Sequence, residues 1–556
     1  MTLRNFFENA AAGHARKTAL RYRRGGAWQS LSYAALFQGV SQIAQAFGTL
    51  GLRPGSDNVA LILENGPEWI ESYLATAGAG LAVVPLDPKL RAPEVAFILN
   101  DAHVAALVTD TRHLDMLELI LPDLPAVRFI VVTDGGSEPL APIAGRPCHD
   151  YETLRRATND NALNWYKSNR PAPQDIASII YTSGTTGTPK GAMLTHLNFC
   201  SDATGSLELL GDVITSHDNF LVVLPLFHSF SFTANFVIPL SKGCGIYFVE
   251  SLRTVADDLK TLRPSVLMAV PLLAEKLLAK IDERLRHSRA ARLLPRFGLG
   301  CLVARKVRKG LGGKLRFMFV GGAPCPLHVL QGFRRLGVPI IEGYGLTECS
   351  PVVSATDFNS SRVGTIGKKL PNIEVRIADT NAQGVGELQI RGPIVMKGYY
   401  NNLAATREAF DGEWLRTGDL ASIDAEGYLS IRGRKKALIV NREGKNIYPE
   451  EVENALSKEP FIADIVVVGY TVGNTPGERV GAIVVPDLDA IKAAHPDGAP
   501  AWDEVGHLIR SRIRSRCEQL AEYKHPRKLS VRREPLERTS VQKIRRCIYQ
   551  GQLNEP

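Results

Sequence analysis

Short apolar runs alternate with helical patterns along the first part of the chain. Ser32–Leu50 has apolar residues at helical spacing, and the run Asn58–Leu63 leads through ENGPEW into a second predicted helix. Leu81–Pro85 and Val104–Val108 are again short runs rich in residues that favour strands. Strands separated by helices in this way are typical of βαβ units and of sheets that contain parallel strands.

The alternation continues, and we expect further strands at Ile176–Tyr181, Phe220–Leu224, Val266–Val270 and Arg316–Val320. Most of these runs end in Gly, Pro or polar residues. Because ligand sites in open α/β sheets form at the carboxyl ends of strands, we expect the chemistry in the loops that follow them. The pattern predicts an α/β fold with a large N-terminal unit of several subdomains, whose sheets contain parallel strands.

The pattern of apolar and polar residues changes beyond about Gly364, where Asn372–Ala378 and Gly386–Arg391 resemble antiparallel strands. A second break falls at IRGRKK, Ile431–Lys436, after which we expect a smaller, mobile α+β lid. The two predicted domains are therefore residues 1–431 and 432–556. The elements predicted around and after this break are a hairpin within Tyr428–Val440, a helix from Pro449, strands at Ile465–Val468 and Ala482–Val485, and a basic helix across Val505–Tyr523.

Composition excludes several classes of protein. The 556 residues are 45% hydrophobic and 22% charged, which rules out a wholly disordered chain, a collagen and a disulfide miniprotein. The most hydrophobic stretch, Leu221–Leu240, is interrupted by Pro225, His228, Asn235 and Pro239. A helix that crosses a bilayer tolerates such residues poorly, so we expect this stretch to be buried core.

The net charge of +9 is unevenly distributed along the chain. Ile281–Arg316 contains 11 Lys/Arg and 2 Asp/Glu, and Val505–Pro556 contains 13 and 5, which leaves the remainder at −8. The first segment mixes Leu and Val with arginines, a pattern typical either of a solvated helix face or of a helix on an anionic membrane surface. We expect no nucleic-acid partner, because there is no recognisable binding module and the remainder is acidic.

The cysteine pattern and the N-terminal segment bear on the compartment. The eight cysteines form no CxxC pair, and their spacing suits neither a zinc site nor a disulfide framework. The N-terminal segment MTLRNFFENAAAGHARK lacks the apolar core of a signal peptide. We therefore expect reduced thiols and a cytoplasmic location, with peripheral contact of residues 281–316 at the inner membrane surface left open.

The segment Tyr181–His196, YTSGTTGTPKGAMLTH, is the most informative part of the sequence. An apolar strand runs into a loop that combines glycines, Thr and Ser hydroxyls, and one lysine. Glycines let backbone N–H groups turn toward an anion, hydroxyls add donors and lysine adds charge, so the loop is suited to a triphosphate. It lacks the GxxxxGK[ST] pattern and is therefore not a Walker A loop.

The same segment resembles the signature of the adenylate-forming superfamily, which includes acyl-CoA synthetases, firefly-type luciferases and the adenylation domains of peptide synthetases. Further matching motifs follow in the family's order: LPLFHSF at Leu224–Phe230, GGAP at Gly321–Pro324, EGYGLTE at Glu342–Glu348, LRTGDL at Leu415–Leu420, GRKK at Gly433–Lys436, and a lysine in ERTSVQKIRR. The resemblance covers nearly the whole chain and is closest to long-chain fatty acyl-CoA synthetases. Several motifs in one order are far more specific than any one of them.

The resemblance implies a reaction in two halves. A carboxylate attacks the α-phosphorus of ATP and releases pyrophosphate, and a thiol then attacks the acyl-adenylate while AMP leaves. The residues implied to bind the β- and γ-phosphates are Thr182, Ser183, Gly184, Thr185, Thr186, Gly187 and Lys190. A preorganised electrostatic site of this kind usually contributes more to catalysis than any other single effect.

The resemblance also assigns the remaining nucleotide contacts. Glu348 would bind Mg²⁺, which prefers oxygen ligands, and Thr347 would contact the α-phosphate. Tyr344 would stack on adenine, and Asp419 and Arg434 would reach the ribose. The backbone implied to line the base belongs to Gly322, Ala323, Pro324, Glu342 and Gly343.

Three further roles follow from the resemblance. Lys543 would bridge the carboxylate oxygen and the α-phosphate as a catalytic residue. The alternative is that Lys543 is only a solvent-exposed residue of a basic run. His228 would gate the acyl or thiol channel. The alternative role for this residue is that of a core histidine whose hydrogen-bonding groups have partners within the protein. Lys436 would be the pivot of the mobile lid.

The chain departs from the family at Gln542, where glycine is usual, and at Glu443, where relatives commonly have a glycine pair.

The apolar and aromatic stretch LVVLPLFHSFSFTANFVIPL suits an alkyl chain. We therefore expect a medium-to-long-chain fatty acid as the substrate, with ATP, Mg²⁺ and CoA as the other components that the resemblance implies. One alternative is a fatty acyl-AMP ligase or acyl-ACP ligase that uses acyl carrier protein. An alternative of another class is a catalytically idle protein that binds acyl groups or nucleotides.

Overall fold

A computed structural model describes residues 1–136, 139–157, 163–183, 188–211, 213–287, 300–358, 362–443, 445–473, 477–495, 498, 500–538 and 544–554. Its strands, in chain order, are β1 (Thr18–Arg24), β2 (Ala27–Ser32), β3 (Asn58–Ile62), β4 (Ala82–Pro85), β5 (Val104–Thr109), β6 (Phe129–Val132), β7 (Cys148–Asp150), β8 (Ile176–Ser183), β9 (Pro189–Thr195), β10 (Asn219–Val222), β11 (Gly245–Phe248), β12 (Val266–Ala269), β13 (Phe317–Gly321), β14 (Ile340–Gly345), β15 (Val352–Ala355), β16 (Lys368–Lys369), β17 (Glu374–Ala378), β18 (Gly386–Arg391), β19 (Phe410–Asp411), β20 (Trp414–Ile423), β21 (Leu429–Arg434), β22 (Ile439–Val440), β23 (Asn446–Ile447), β24 (Ile462–Tyr470), β25 (Arg479–Pro486) and β26 (Lys528–Val531).

The α-helices in the described ranges, again in chain order, are α1 (Leu3–Gly13), α2 (Tyr33–Thr49), α3 (Pro67–Gly78), α4 (Ala92–Asp101), α5 (Leu114–Ile120), α6 (Tyr151–Ala157), α7 (Leu163–Ser168), α8 (His196–Leu210), α9 (Ser229–Phe232), α10 (Ile238–Ser241), α11 (Val255–Leu262), α12 (Pro271–Arg286), α13 (Gly300–Gly310), α14 (Leu327–Arg335), α15 (Leu403–Ala409), α16 (Pro449–Leu456), α17 (Leu488–Ala494) and α18 (Trp502–Cys517).

Two large sheets contain the predicted parallel strands. The seven-stranded sheet has the order β7-β6-β5-β3-β4-β8-β9, and its strands are parallel except for β9, which is antiparallel to β8. The nine-stranded sheet has the order β16-β15-β14-β13-β12-β10-β11-β1-β2, with a parallel centre and antiparallel edges. The predicted α/β class is confirmed.

Burial explains why short apolar runs form the strands and why helical spacing forms the helices between them. Every residue of β3 and of β5 is buried, as expected for strands covered on both faces. Helix α2 begins after Ser32, whose hydroxyl accepts a hydrogen bond from the Ala35 N–H at 3.2 Å. Its buried residues include Leu36, Val40 and Phe47, which share one face of the helix. The predicted helix over Ser32–Leu50 is confirmed.

The apolar stretch Leu221–Leu240 is buried core, as predicted. It comprises the end of β10, the short helix α9, a π-helical turn at Thr233–Val237, and most of α10. Phe232 and Phe236 pack against each other and against Trp69 and Tyr73, with ring centroids 4.5–6.5 Å apart. In the described part of the chain, no helix is both long enough and apolar enough to cross a bilayer.

The chain divides into two compact units. One comprises Met1–Glu374 and Ile390–Leu415, and the other comprises Val375–Gln389 and Arg416–Pro556. In the second unit, β24, β25 and β26 form a sheet in that order, with β24 antiparallel and β26 parallel to β25. The boundary at residue 432 and the mobility of the smaller unit stay predictions.

Two predicted elements after the break differ from the structure. Tyr428–Val440 does not fold back on itself, because β21 pairs antiparallel with β20, and β22 pairs with β23. β21 and β22, which the 3₁₀ turn Lys435–Ala437 connects, therefore pair with other strands and not with each other. The basic helix predicted across Val505–Tyr523 is α18, which begins at Trp502 and ends at Cys517.

Candidate active site

The predicted phosphate loop connects β8 to β9. The two strands pair antiparallel, with Thr182 opposite Lys190 and Ser183 opposite Pro189. Thr182 and Lys190 therefore lie together at the base of the loop, where a hydroxyl and an ammonium group suit an anion. Of the other predicted phosphate ligands, Gly184, Thr185, Thr186, Gly187 and the side chain of Ser183 lie outside the described residues.

A second segment, Met396–Tyr400, runs beside β9. Three backbone hydrogen bonds of 2.8–2.9 Å join it to Gly191 and Met193 of that strand. They place the Tyr399 side chain next to the base of the phosphate loop, with Lys190 Nζ 5.4 Å from the centroid of its ring. This neighbour was not predicted from sequence, because a backbone pairing between distant segments leaves no local pattern.

The motif EGYGLTE ends in a 3₁₀ turn that follows β14. The Tyr399 hydroxyl donates a hydrogen bond to Oε1 of Glu348 at 2.8 Å, and the Met396 N–H donates to the Glu348 backbone carbonyl at 2.8 Å. Thr347 Oγ1 lies 3.0 Å from Ser229 Oγ, within hydrogen-bond distance. The predicted metal ligand is therefore held by the same segment that borders the phosphate loop.

A buried carboxyl group holds the chain where it leaves this turn. Asp202 of α8 is fully buried, and its Oδ2 accepts a hydrogen bond from the Val352 N–H at 2.6 Å. The Ser206 hydroxyl donates to Oδ1 at 3.3 Å. Burial raises the pKa of the Asp202 carboxyl well above its usual range. Asp202 was not predicted, because an acidic residue in a helix is usually exposed.

The residues predicted to line adenine come from the end of β13, the loop after it, and β14. Gly321 of β13 pairs with Gly343 of β14, and the Cys325 N–H donates to Oε1 of Glu342 at 3.2 Å. Burial raises the pKa of the Glu342 carboxyl. Gly322 has a φ of 88°, a left-handed conformation that favours glycine. Gly322, Ala323 and Pro324 directly follow β13, and Glu342, Gly343 and Tyr344 belong to the adjacent strand β14.

His228 precedes helix α9 as its N-cap. Its Nδ1 accepts a hydrogen bond from the Phe230 N–H at 3.3 Å, and the residue is half-buried. This local bond gives the imidazole a structural role at the start of the helix. The gating role of His228 stays a prediction.

The predicted ribose contacts lie in the second unit, on neighbouring strands. Asp419 of β20 stands opposite Arg434 of β21, and the Arg434 Nε donates to Oδ1 of Asp419 at 2.7 Å. The Asp419 side chain is only 4% exposed, and the Asp419 N–H donates to Thr417 Oγ1 at 3.0 Å. The pair therefore fixes the carboxylate in one orientation, as recognition of a sugar diol requires.

The remaining predicted residues are also in the second unit. Lys436 lies in the 3₁₀ turn Lys435–Ala437, directly after β21. Glu443 is exposed and pairs with Lys445 at 2.7 Å, which lowers the pKa of the Glu443 carboxyl. Lys543 and its neighbour Gln542 lie outside the described residues.

The donor set around Glu348 fits Mg²⁺ bound together with nucleotide. Across the residues that the structure describes, no group of three or more His, Cys, Asp or Glu side chains forms a metal cage. Mg²⁺ needs no such cage, because it usually binds one or two carboxylates, water and substrate phosphates. Glu348 supplies one carboxylate beside the segment that borders the phosphate loop.

Comparison with family models gives two matches. Residues 7–400 match the model described as AMP-binding enzyme, and residues 451–543 match the AMP-binding enzyme C-terminal domain. Among similar curated proteins, "Long-chain-fatty-acid--CoA ligase FadD15" of Mycobacterium tuberculosis is 30% identical over 493 residues, 84% of this chain and 79% of that protein. "Long-chain-fatty-acid--CoA ligase 1" of Homo sapiens is 31% identical over 500 residues, 84% of this chain and 70% of that protein.

Solved structures show the same fold. The o-succinylbenzoate CoA synthetase of Bacillus subtilis in complex with ATP and magnesium ion has a TM-score of 0.74 at 25% identity, and the alignment covers 97% of this chain and 98% of that one. ATP-bound MatB from Rhodopseudomonas palustris has a TM-score of 0.77 at 24% identity, with 99% and 98% covered.

Proposed function

The chain belongs to the family of AMP-binding enzymes, and on that premise we propose that it is an acid–thiol ligase for fatty acids. It activates a medium-to-long-chain fatty acid with ATP to acyl-AMP, releases pyrophosphate, and transfers the acyl group to the thiol of CoA. The names of its curated relatives support the substrate class, since they are long-chain fatty acid–CoA ligases that align over most of their length.

The observation that carries the proposal is the placement of charge beside the phosphate loop. Lys190 and Glu348 both lie next to Tyr399, one over its ring and the other at its hydroxyl. A cation at the loop and a carboxylate beside it match what MgATP presents, since Mg²⁺ bound at Glu348 would offset the negative charge of the phosphates.

In the first half-reaction, a carboxylate oxygen of the fatty acid attacks the α-phosphorus, and the bond to the β-phosphate oxygen breaks. Lys190 and Thr182 hold the departing pyrophosphate, and Thr347 contacts the α-phosphate. Lys543 bridges the attacking oxygen and the α-phosphate, where negative charge concentrates in the transition state. Asp419 and Arg434 orient the ribose.

In the second half-reaction, the CoA thiol loses its proton to water and its sulfur attacks the acyl carbon. The bond between that carbon and the phosphate oxygen of AMP breaks, and AMP leaves. The smaller unit turns about Lys436 between the two steps, so that one set of residues serves adenylation and another serves thiol transfer.

Acyl carrier protein is the second candidate acceptor, because the basic segment 505–556 suits an acidic carrier protein as well as the 3′-phosphate of CoA. The Glu443 carboxylate does not discriminate between the two acceptors, since both present a phosphopantetheine arm. CoA stays the first acceptor of the proposal, because the curated relatives are named as CoA ligases.

An acyl-transfer assay distinguishes these alternatives. The protein is given MgATP and fatty acids from octanoate to stearate, with either CoA or holo acyl carrier protein, and the thioesters are quantified by mass spectrometry. Thioester on CoA with an optimum at a medium or long chain supports the proposal. Thioester only on the carrier protein identifies an acyl-ACP ligase. Turnover of an aryl acid but of no fatty acid contradicts the substrate class.

A basic surface supports peripheral contact with an anionic membrane from a cytoplasmic location. The predicted segment 281–316 has 11 Lys/Arg and 2 Asp/Glu. Its described part includes α13, where Arg305, Lys306 and Lys309 are exposed, and the Arg308 guanidinium lies beside Gly337, which follows α14. Leu302 on α13 is 47% exposed, as suits contact with lipid. Residues 288–299, which belong to the predicted basic segment 281–316, lie outside the described residues.

Vesicle sedimentation tests this contact. Arg305→Gln with Lys309→Gln removes two exposed charges from one face of α13, and we expect weaker binding to phosphatidylserine-containing vesicles. Arg510→Gln with Arg514→Gln removes two exposed charges from α18 and is the matched control. Equal binding by both double variants and the unmodified protein indicates a solvated face.

A further inference from the structure

The backbone hydrogen bonds around Tyr399 fix the position of this residue independently of its side chain. It lies in Met396–Tyr400, and hydrogen bonds from the backbone on either side of Tyr399 anchor this segment to β9. Ala192 of β9 and Tyr399 also form a β-bridge. Since β9 is the strand that leaves the phosphate loop, the position of the Tyr399 ring is set by the same strand that carries Lys190.

The Tyr399 hydroxyl restrains the carboxylate that is predicted to bind the metal. It donates to Oε1 of Glu348 at 2.8 Å, while the Met396 N–H bonds the backbone carbonyl of the same residue. Both the side chain and the main chain of Glu348 are therefore held by one short segment. A carboxylate offers about four lone-pair positions, so a single donor on Oε1 is compatible with a cation on the group.

The Tyr399 ring restrains the lysine of the phosphate loop. Lys190 Nζ lies 5.4 Å from the ring centroid, within the range of a cation–π interaction. The two ends of one side chain thus face the two charged groups that MgATP would need, one acidic and one basic.

We propose that Tyr399 is a positioning residue that orients Glu348 for Mg²⁺ through its hydroxyl and holds Lys190 at the nucleotide phosphates through its ring. The inference rests on the proposed function, because it takes MgATP as the ligand. An outer hydrogen bond to a metal-binding carboxylate fixes its orientation, and loss of such a bond typically weakens metal affinity by about 10- to 100-fold. The hydroxyl and the ring have separable effects, since one acts on the metal and the other on the phosphates.

Tyr399→Phe tests the hydroxyl, because the variant keeps the ring. Binding of Mn²⁺ in the presence of a non-hydrolysable ATP analogue is measured by electron paramagnetic resonance, and binding of the metal-free analogue by calorimetry. We expect the variant to bind Mn²⁺ about tenfold more weakly and the metal-free analogue as well as the unmodified protein. Tyr400→Phe is the matched control, because it removes a hydroxyl from the adjacent residue, which accepts from Asn58 Nδ2 at 3.5 Å.

Three outcomes overturn the role of the hydroxyl. They are unchanged Mn²⁺ affinity in Tyr399→Phe, an equal loss in Tyr400→Phe, and an equal loss of affinity for the metal-free analogue. Failure of the unmodified protein to bind Mn²⁺ with the analogue is a different result, because it contradicts the proposed function itself.

Tyr399→Leu tests the ring. This variant lacks both the hydroxyl and the cation–π contact, so we expect the metal-free analogue to bind about threefold more weakly than it does to Tyr399→Phe. Thermal unfolding of both variants is recorded alongside, and the comparison uses the binding ratio between them. Equal binding of the metal-free analogue by the Leu and Phe variants overturns the role of the ring.

Discussion

Lys543 is the single side chain on which the proposed first half-reaction most depends. We expect Lys543→Ala to lower palmitate-dependent pyrophosphate release by about 100- to 1000-fold, because the lysine stabilises charge that develops between the carboxylate oxygen and the α-phosphate. Release is followed with a coupled pyrophosphatase assay at saturating MgATP.

Arg545→Ala is the matched control for Lys543. Arg545 belongs to the same basic run, and its guanidinium lies 4.0 Å from the Glu537 carboxylate. We expect this variant to retain activity close to that of the unmodified protein. Equal, small losses in Lys543→Ala and Arg545→Ala would assign Lys543 to a solvated face.

Glu71 gives the protein a pH-dependent stability. The residue is buried and accepts a hydrogen bond from the Tyr151 hydroxyl at 3.0 Å, and burial raises the pKa of its carboxyl to about 7 from the usual 4.5. Because the folded state binds the proton more tightly, the contribution of this group is fully present below about pH 4.5 and is lost as the pH rises through about 7.

Glu71→Gln removes this ionisation and keeps an acceptor for Tyr151. We expect the variant to gain in unfolding free energy over the unmodified protein by up to about 3 kcal/mol between about pH 5 and pH 8. Urea denaturation at both pH values measures the difference. A difference that stays constant across this range contradicts the prediction.

Residues of the candidate site differ in how far the sequence alone reveals them. Thr347 and Glu348 stand in one contiguous motif, and Asp419 stands in another, so their types and order indicate chemistry directly. Tyr399 and Asp202 were missed because each acts through a partner far along the chain. The Tyr399 hydroxyl reaches a residue 51 positions earlier, and the Asp202 carboxylate reaches an N–H 150 positions later.

At the scale of secondary-structure elements, the strands of the two large sheets were predictable because each is a short, continuous apolar run. Burial on both faces requires such a run, as in β3 and β5. Pairing was less predictable, since it depends on partners that no local pattern specifies. The sequence predicts a hairpin within Tyr428–Val440, whereas β21 pairs with β20, a strand that precedes it.

The turn after β14 depends on the absence of a side chain at Gly345. A Cβ at this position would overlap the backbone carbonyl of Pro351, which cannot move without shifting β15. We expect Gly345→Ala to lower the unfolding free energy by about 2–3 kcal/mol, because the backbone has to shift to relieve the overlap. Thermal unfolding measures the change.

Gly343→Ala is the control for this turn. A Cβ on Gly343 of the same strand would lie 3.8 Å from the Ser354 carbonyl oxygen, an ordinary contact. We expect its unfolding temperature to stay near that of the unmodified protein. If Gly343→Ala is destabilised as much as Gly345→Ala, the effect belongs to the strand and not to the turn.

At the scale of the whole molecule, the chain divides into two compact units, which the proposed turning of the smaller unit requires. The sequence predicts a large and a small unit from a change in the pattern of apolar and polar residues along the chain. In the structure, Val375–Gln389 also belongs to the smaller unit, although this range precedes the break in the sequence. A discontinuous unit of this kind has no compositional signature, because composition is read along the chain and not across space.

Lys436→Pro tests the predicted turning of the smaller unit. Proline fixes φ near −65°, so it restricts rotation at this position. We expect thioester formation to slow by about tenfold or more while acyl-AMP formation persists, because only the second step requires the turn. Quenched-flow measurements of acyl-AMP and acyl-CoA separate the two steps.

Lys436→Ala is the matched control, since it removes the ammonium group and leaves the backbone free to rotate. Retention of both steps in this variant assigns the effect of proline to the backbone. Equal loss of both steps in Lys436→Pro contradicts a hinge at this residue.

ATP–pyrophosphate exchange in the absence of CoA tests most directly whether the chain forms a fatty acyl-adenylate. Labelled pyrophosphate is incubated with the protein, ATP, Mg²⁺ and palmitate, and the label in ATP is counted. We predict label in ATP only when both palmitate and Mg²⁺ are present, because only a reversible adenylation returns pyrophosphate to ATP. No exchange with any fatty acid from octanoate to stearate, while ATP still binds, would contradict this prediction and identify an idle binding protein.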